Sequence, residues 1–429
     1  MTFLVIANMV GAGVFTTSGF TLQSLGSPAW VVLAWLVAGA IALAGADAYG
    51  KLARAMPESG GEYLFLSRAI HPAFGFVAGW ISLIAGFSGG IAYAATAFES
   101  YLFPETHRPT WISEDAPAIF LIVVTGLLHG VRGRVGVVAQ NVVVAIKLGL
   151  LVVLLLLAAT TLPTHPWGGT SVEGGEGGFP FVAFAQSLVW ISFSYLGFNA
   201  AVYLTEEAEE PERTVPWALL LGTSTVVVLY LLLNAVFVYA NPEAVVGKPD
   251  VAALAAQALG GDWFGRLARM TVVIALVTSV FSMMMAAPRV YAKMAADGLL
   301  PGVLRFEGDS PRAAIVLQVL LASGLVYWST LRDLLDYLGL TLSVCAACTV
   351  SCLFVPRVRK ATTPTPSLVL PGIYVASTLA TAGVLAFMKP AQVVGTVLTV
   401  ATGAIVFIMG RYLPIRPSRQ NDRDVPSSE

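Results

Sequence analysis

The chain has 429 residues, of which 57% are hydrophobic and 11% are charged, whereas soluble domains have about 45–50% apolar and 25% charged residues. A water-soluble multidomain enzyme of this composition would lack the charge to cover its surface, so that class is excluded. The 24 basic residues nearly balance the 25 acidic ones, which leaves no electrostatic footprint for binding nucleic acid. The composition indicates an integral membrane protein surrounded by the lipid bilayer.

Twelve apolar segments follow one another along the chain, most of them near the twenty residues that a helix needs to cross a bilayer. They predict an all-α membrane protein with about twelve transmembrane helices. The predicted spans are 2–24, 29–50, 74–102, 116–130, 135–162, 180–205, 214–240, 263–288, 312–328, 333–355, 368–388 and 391–410. Residues 1–410 then form a single transmembrane domain, residues 168–178 a flexible connector, and the polar residues 411–429 a disordered cytoplasmic tail.

Basic residues are distributed unequally between the two sides of these spans. Of the 24 Lys and Arg residues, 17 fall on the side of both termini and six on the other. Because short cytoplasmic loops are rich in Lys and Arg, we expect both termini to be cytoplasmic, in a cell (inner or plasma) membrane. The apolar stretch begins at Thr2 and the first basic residue is Lys51, which favours a retained helix over a cleaved signal peptide. The abrupt start leaves room for a short leader before Met1.

Two of the predicted spans carry glycine near their middle. The first contains N-M-V-G-A-G-V-F at residues 8–15, and the sixth contains F-S-Y-L-G-F-N-A at residues 193–200. Interrupted segments at corresponding places in two halves point to a transporter binding site. Broken helix ends offer N–H groups to an anion and carbonyls to a cation, which predicts a site for a zwitterion. Close helix packing through Gly11 and Gly13 is the alternative interpretation, and periodicity leaves it open.

With these segments in place, the chain resembles the amino acid–polyamine–organocation (APC) permeases. The likeness runs from residue 1 to about residue 355 and rests on four regions in the same order and spacing: 8–15, 56–69 (M-P-E-S-G-G-E-Y…R-A), 193–216 and 288–301. The resemblance implies the LeuT-like inverted repeat of five plus five helices with two C-terminal helices added. It also implies a secondary active amino acid transporter working by alternating access around discontinuous helices 1 and 6, sodium-independent, through proton symport or amino acid exchange.

The resemblance assigns roles to individual residues. The predicted substrate-binding residues are Met9, Gly11, Ala12, Gly13, Phe193, Leu196, Gly197 and Asn199. The substrate carboxylate meets the backbone amides of Ala12 and Gly13, and the substrate ammonium meets the carbonyls of Met9, Phe193 and Leu196. The Phe193 side chain is expected to close over the bound substrate from outside.

Lys147 is the one basic residue deep within a predicted span, and a charge inside the membrane indicates a functional site by default. The resemblance places Lys147 on the fifth helix, where a lysine reaches the first-helix break and fills the space of a sodium ion in sodium-coupled relatives. It would hold the inner half of the first helix there, and bind or release a proton. A lysine that snorkels to the interface is the alternative.

Three further features restrict the function. Asn199 stands where many proton-dependent members of the family have Glu, and an amide does not titrate. The loop 103–116 contains no Cys, so we expect no disulfide-linked heavy chain. The cysteines in C-x2-C-x3-C lie in an apolar run without His, which favours packing as small hydrophobes over a metal site; they are Cys345, Cys348 and Cys352. No metal and no cofactor are expected.

Other function classes and side-chain roles remain to be tested. The chain has no ATP-binding loop and no intramembrane catalytic constellation, so neither a pump nor an enzyme is expected. A channel, a non-transporting sensor, or a carrier of polyamines or other organic amines stays open. Segments 9–13, 193–199 and 278–285 contain no carboxylate, which favours small or neutral amino acids as substrates. We expect Glu99 to be solvated and Lys51 to pair with Asp47 at i, i+4.

Overall fold

The computed structural model describes residues 1–104, 108–131, 137–161, 179–296, 298–305, 311–361 and 365–412. Within these residues the regular structure is helical, without a strand. The α-helices are α1 (Thr2–Met9), α2 (Gly13–Leu25), α3 (Pro28–Ala55), α4 (Gly61–Ala69), α5 (Pro72–Ile81), α6 (Gly90–Leu102), α7 (Ala116–Val131), α8 (Val137–Thr161), α9 (Phe181–Tyr195), α10 (Pro211–Ala240), α11 (Pro242–Val245), α12 (Val251–Ala296), α13 (Arg312–Trp328), α14 (Leu331–Ser351), α15 (Pro356–Lys360), α16 (Val369–Met388) and α17 (Pro390–Tyr412). A π-helix (Ser82–Gly89) joins α5 to α6, and a 3₁₀ helix (Phe198–Glu207) follows α9.

Each of the twelve predicted spans overlaps a helix. By length and composition, seven helical segments of the described chain can cross a membrane, and α1 with α2 makes an eighth if the bent pair is one span. The helices α7, α9 and α13, and residues 151–161 of α8, are apolar but shorter. The chain is therefore a multi-pass membrane protein.

Both predicted breaks are confirmed. Helix α1 ends at Met9, α2 begins at Gly13, and the two are bent by 47°. Helix α9 ends at Tyr195, and Gly197 adopts φ +105°, in the left-handed region that favours glycine. The chain then continues as a 3₁₀ helix from Phe198 to Glu207.

Two other spans contain irregular helical structure. The third contains the π-helix, whose extra residue per turn is common at functional sites. Helix α12 begins at Val251 instead of residue 263 and is kinked where Gly260 and Gly261 have φ −135° and +71°. The residues from Val251 to the kink therefore add helical turns before the predicted apolar span, 263–288.

A buried aromatic cluster packs against the ends of α1 and α9 at the two breaks. Trp35 of α3, Tyr195 of α9 and Tyr230 of α10 are fully buried, with ring centroids 5.2–5.6 Å apart. Such contacts stabilise by about 0.5–1.5 kcal/mol per pair beyond burial. Because Tyr195 is the last residue of α9, this cluster fixes the end of α9 at the break.

Two side-chain predictions have opposite outcomes. Lys51 donates to Asp47 at 2.5 Å, which confirms the i, i+4 pair. Glu99 was predicted to be solvated, and that was wrong, because the following loop folds over it. Glu99 is 5% exposed, pairs with Arg108 and accepts from the N–H groups of Asp115 and Ala118 at 3.1 and 3.3 Å.

Two predicted segments and one side chain cannot be compared with the structure. The connector 168–178 lies outside the described residues, as do residues 413–429. Helix α17 extends to Tyr412. The backbone of Lys147 lies within α8, but its side chain is outside the described part of the chain.

Candidate functional site

A cavity of about 500 Å³ lies between the two helix breaks, within the usual range of about 300–1,000 Å³ for ligand pockets. Residues of α4, the π-helix, α6, the 3₁₀ helix, α12 and α14 also line it. All eight predicted substrate-binding residues line it: Met9, Gly11, Ala12, Gly13, Phe193, Leu196, Gly197 and Asn199. Segments almost two hundred residues apart in the chain are thus brought together around one space.

The two breaks are in direct contact. The Asn8 side chain of α1 donates to the carbonyl of Gly197 at 3.3 Å. A Cβ atom at residue 197 would lie 2.9 Å from the carbonyl oxygen of Asn8, and its positive φ also disfavours any L side chain. Gly197 is therefore required both by its backbone conformation and by this close approach.

The two glycines of the first break have different surroundings. A Cβ at Gly13 would lie 2.4 Å from Ser194 Oγ and 2.8 Å from Ser194 Cα, whereas a Cβ at Gly11 would meet only the Met9 carbonyl at 3.9 Å. Gly13 thus allows α2 to pack closely against α9, as the packing interpretation expected. Gly11 faces open space in the cavity.

The helix ends at the breaks present polar backbone groups to the cavity. The first N–H groups of α2 have no acceptor inside their own helix. On the other side, the Met9 carbonyl accepts from the Tyr230 hydroxyl at 2.7 Å, and the Phe193 carbonyl accepts from the N–H of Leu196 at 3.1 Å. A carbonyl oxygen has two lone pairs, so each of these two oxygens retains capacity for one more donor.

Hydrogen bonds and ring contacts close the cavity on the side of α2. Thr16 bonds to the Tyr93 hydroxyl of α6 at 2.5 Å, and Thr17 bonds to Ser194 of α9 at 3.1 Å. The rings of Tyr93 and Phe193 meet edge to face at 5.1 Å. The Phe193 ring, which lines the cavity, is therefore held against Tyr93 on this side.

A second layer lies beyond these contacts. The guanidinium of Arg332 in α14 lies 5.1 Å from the Trp190 ring centroid and 5.9 Å from that of Phe20. The Trp190 indole donates to the buried Asp336 at 2.6 Å. These contacts tie α2, α9 and α14 together. On the opposite side the cavity extends along α1, where the exposed Asn8 lines it.

One carboxylate of the cavity wall was not predicted from the sequence. Glu62 of α4 lines the cavity although it is only 6% exposed, and it lies outside the segments 9–13, 193–199 and 278–285, whose lack of carboxylates had favoured neutral substrates. Its hydrogen-bond donors are Tyr49, Asn199 and Tyr203. The S-G-G-E-Y motif was the available signal, but its position in a loop gave no indication that it reaches the cavity.

The three cysteines have different environments. Cys345 lines the cavity and is buried, Cys352 is buried away from it, and Cys348 is exposed. The spacing therefore does not direct all three toward one point, and the described residues contain no group of three or more potential metal-ligating side chains.

The chain is thus a multi-pass membrane protein in which two discontinuous helices line one cavity. A family model described as amino acid permease matches residues 1–410. The chain belongs to the amino acid permease family, which the resemblance to APC permeases had indicated.

Three relatives illustrate the range of this similarity. Cationic amino acid transporter 4 of Mus musculus is 26% identical, with 87% of this chain and 61% of the relative covered. Large neutral amino acids transporter small subunit 2 of Rattus norvegicus is also 26% identical, over 98% and 81%. The cystine/glutamate transporter of Pongo abelii is 23% identical, over 78% and 68%. The chain thus spans about three fifths of the mouse relative's length, and all three relatives are transporters of amino acids.

Proposed function

We propose that this protein is a secondary active transporter of amino acids. The observation that carries the proposal is the cavity of about 500 Å³ between two broken helices. Broken helices at membrane depth occur where they line a protein cavity, and their ends suit the carboxylate and ammonium of an amino acid. The three relatives are named as transporters of cationic amino acids, of large neutral amino acids and of cystine and glutamate, which supports amino acids as the general substrate class.

In this proposal the substrate carboxylate is held by the amides of Ala12 and Gly13, and its ammonium by the carbonyls of Met9, Phe193 and Leu196. Asn199 and the backbone bends at Gly11 and Gly197 shape the remaining wall. The protein therefore needs no charged side chain to hold the carboxylate and the ammonium on the α-carbon of the substrate. These interactions suit any amino acid whose side chain fits the rest of the cavity.

Transport proceeds by alternating access. The chain has twelve spans in the five-plus-five inverted repeat with two helices added, and both termini lie in the cytoplasm. The state described above is closed on the α2 side and extends along α1, which corresponds to a cavity facing the cytoplasm. Opening the outer side requires α2, α6 and α9 to separate at Thr16–Tyr93 and Thr17–Ser194.

Coupling does not require sodium in this account. Lys147 occupies the place near the first break that a sodium ion fills in sodium-coupled relatives, and it biases the movement of α1. Transport is then driven by proton symport or by amino acid exchange. No disulfide-linked partner chain takes part, because the loop 103–116 contains no Cys.

Uptake into proteoliposomes tests the proposal. Twenty labelled amino acids are presented in turn, with and without a pH gradient, sodium or an internal amino acid. We expect saturable uptake of at least one of them, accelerated by internal amino acid or by the pH gradient. Binding without uptake would indicate a sensor, and uptake that does not saturate would indicate a channel.

A further inference from the structure

A buried carboxylate forms part of the cavity wall near the second break. Glu62 accepts from the Tyr49 hydroxyl at 2.9 Å, from the Asn199 amide at 2.5 Å and from the Tyr203 hydroxyl. These donors belong to α3 and to the 3₁₀ helix. Glu62 is therefore held in one position by two elements other than its own helix.

The local sequence is built to place this carboxylate. Gly60 and Gly61 have φ +148° and +57°, in the region that favours glycine. A Cβ at residue 61 would lie 2.5 Å from the Tyr203 ring. The two glycines thus let the start of α4 approach the 3₁₀ helix closely enough for Glu62 to reach Asn199 and Tyr203.

The charge of this group is not balanced by its partners. All three donors are neutral, and no cationic group among the described residues forms an ion pair with Glu62. Hydrogen bonds stabilise a carboxylate, but a buried charge also requires a counter-charge. Two donors share one carboxylate oxygen and one occupies the other, so the second oxygen can accept another donor.

We propose that Glu62, with Tyr49, Asn199 and Tyr203, forms a subsite for the positively charged side chain of the substrate, an ammonium or a guanidinium. The inference rests on the proposed amino acid transport. Asn199 follows Gly197 by two residues, which is a rise of about 4 Å in a 3₁₀ helix. An amino acid held at the break can span that distance with a flexible cationic side chain.

The subsite makes a prediction that a purely structural carboxylate does not. A structural Glu62 would affect every substrate equally, whereas a charge-binding Glu62 discriminates between substrates of equal shape. Arginine and citrulline have nearly the same shape and differ chiefly in charge, whereas norleucine keeps the aliphatic chain of lysine and lacks its terminal ammonium. We expect wild-type protein to bind arginine at least about tenfold more tightly than citrulline, because only arginine supplies the missing counter-charge.

Glu62→Gln tests the residue, and Glu58→Gln is the matched control. Glu58 lies four residues earlier, is exposed and pairs with Arg68 at 2.9 Å. Binding of each labelled pair is measured by scintillation proximity, together with uptake. Glu62→Gln should reduce the preference for arginine over citrulline to about threefold or less, while Glu58→Gln should retain it.

Equal affinity for arginine and citrulline in the wild-type protein would overturn the subsite, and so would an unchanged preference in a folded Glu62→Gln protein. The wild-type comparison decides the question even if the variant does not fold. Failure of the transport proposal gives a different result, because then no amino acid, charged or neutral, is bound and taken up.

Discussion

Gly11→Ala separates substrate binding at the first break from helix packing. The methyl group meets only the Met9 carbonyl at 3.9 Å, and Gly11 does not have a positive φ. We therefore expect the variant to fold. The same methyl group occupies part of the cavity beside the amides of Ala12 and Gly13, where the substrate carboxylate is proposed to bind.

The expected loss can be estimated from one displaced hydrogen bond. A hydrogen bond to a charged group contributes about 1.5–3 kcal/mol, and each 1.4 kcal/mol changes affinity about tenfold. Gly11→Ala should therefore raise the Kd of the best substrate roughly ten- to hundredfold. Equilibrium binding and the KM of uptake in proteoliposomes, both for the labelled amino acid that the wild-type protein takes up best, measure this change.

Two further glycines provide the controls. Gly13→Ala places its methyl group 2.8 Å from Ser194 Cα, and overpacking of this kind typically destabilises by about 1–3 kcal/mol, so the yield of folded protein should fall. Gly383→Ala in α16 meets nothing within 4 Å and should leave uptake unchanged. A folded Gly11→Ala protein with wild-type Kd and KM would refute carboxylate binding at this break.

Three other experiments test the burial of Glu99, the position of Cys345 and the proposed role of Lys147. Glu99→Gln removes the buried ion pair with Arg108, and because breaking such a pair costs about 3–5 kcal/mol, the Tm should fall. The exposed control Glu114→Gln should keep the wild-type Tm. An unchanged Tm in Glu99→Gln would contradict the burial of the Glu99 carboxylate. In a Cys348→Ser/Cys352→Ser background, alkylation of Cys345 with N-ethylmaleimide should inhibit uptake, and bound substrate should slow the alkylation. Alkylation at the same rate with and without substrate would contradict the place of Cys345 in the cavity wall. Lys147→Ala should reduce turnover and its pH dependence, while replacing sodium by choline leaves wild-type uptake unchanged; a strict sodium requirement would contradict the proposed coupling.

The breaks were predictable because they depend on local chemistry. Gly197 adopts a left-handed conformation that glycine takes without strain, and broken helices at membrane depth are tolerated where they line a cavity. At the first break neither Gly11 nor Gly13 has a positive φ, and that break was predicted from its pairing with the glycine-interrupted sixth span. Apolar length likewise predicted where the helices lie, since it follows from the thickness of the bilayer.

Contacts between distant segments were not predictable in the same way. Glu62 reaches Asn199 across 137 positions of the chain, and a carboxylate in a loop gives no indication of the cavity to which it is directed. The burial of Glu99 depends on the later Arg108 and Ala118 folding back over it. The π-helix also has no sequence signature that distinguishes it from the surrounding α-helix.

Counterflow in proteoliposomes tests the central claim most directly. Vesicles containing purified protein are loaded with an unlabelled amino acid, and uptake of the same labelled amino acid is followed at low external concentration. A carrier with alternating access should give a transient accumulation of label above the external concentration, absent in protein-free vesicles and much reduced in Gly11→Ala. Label that only equilibrates, without an overshoot for any amino acid that the protein binds, would contradict the account.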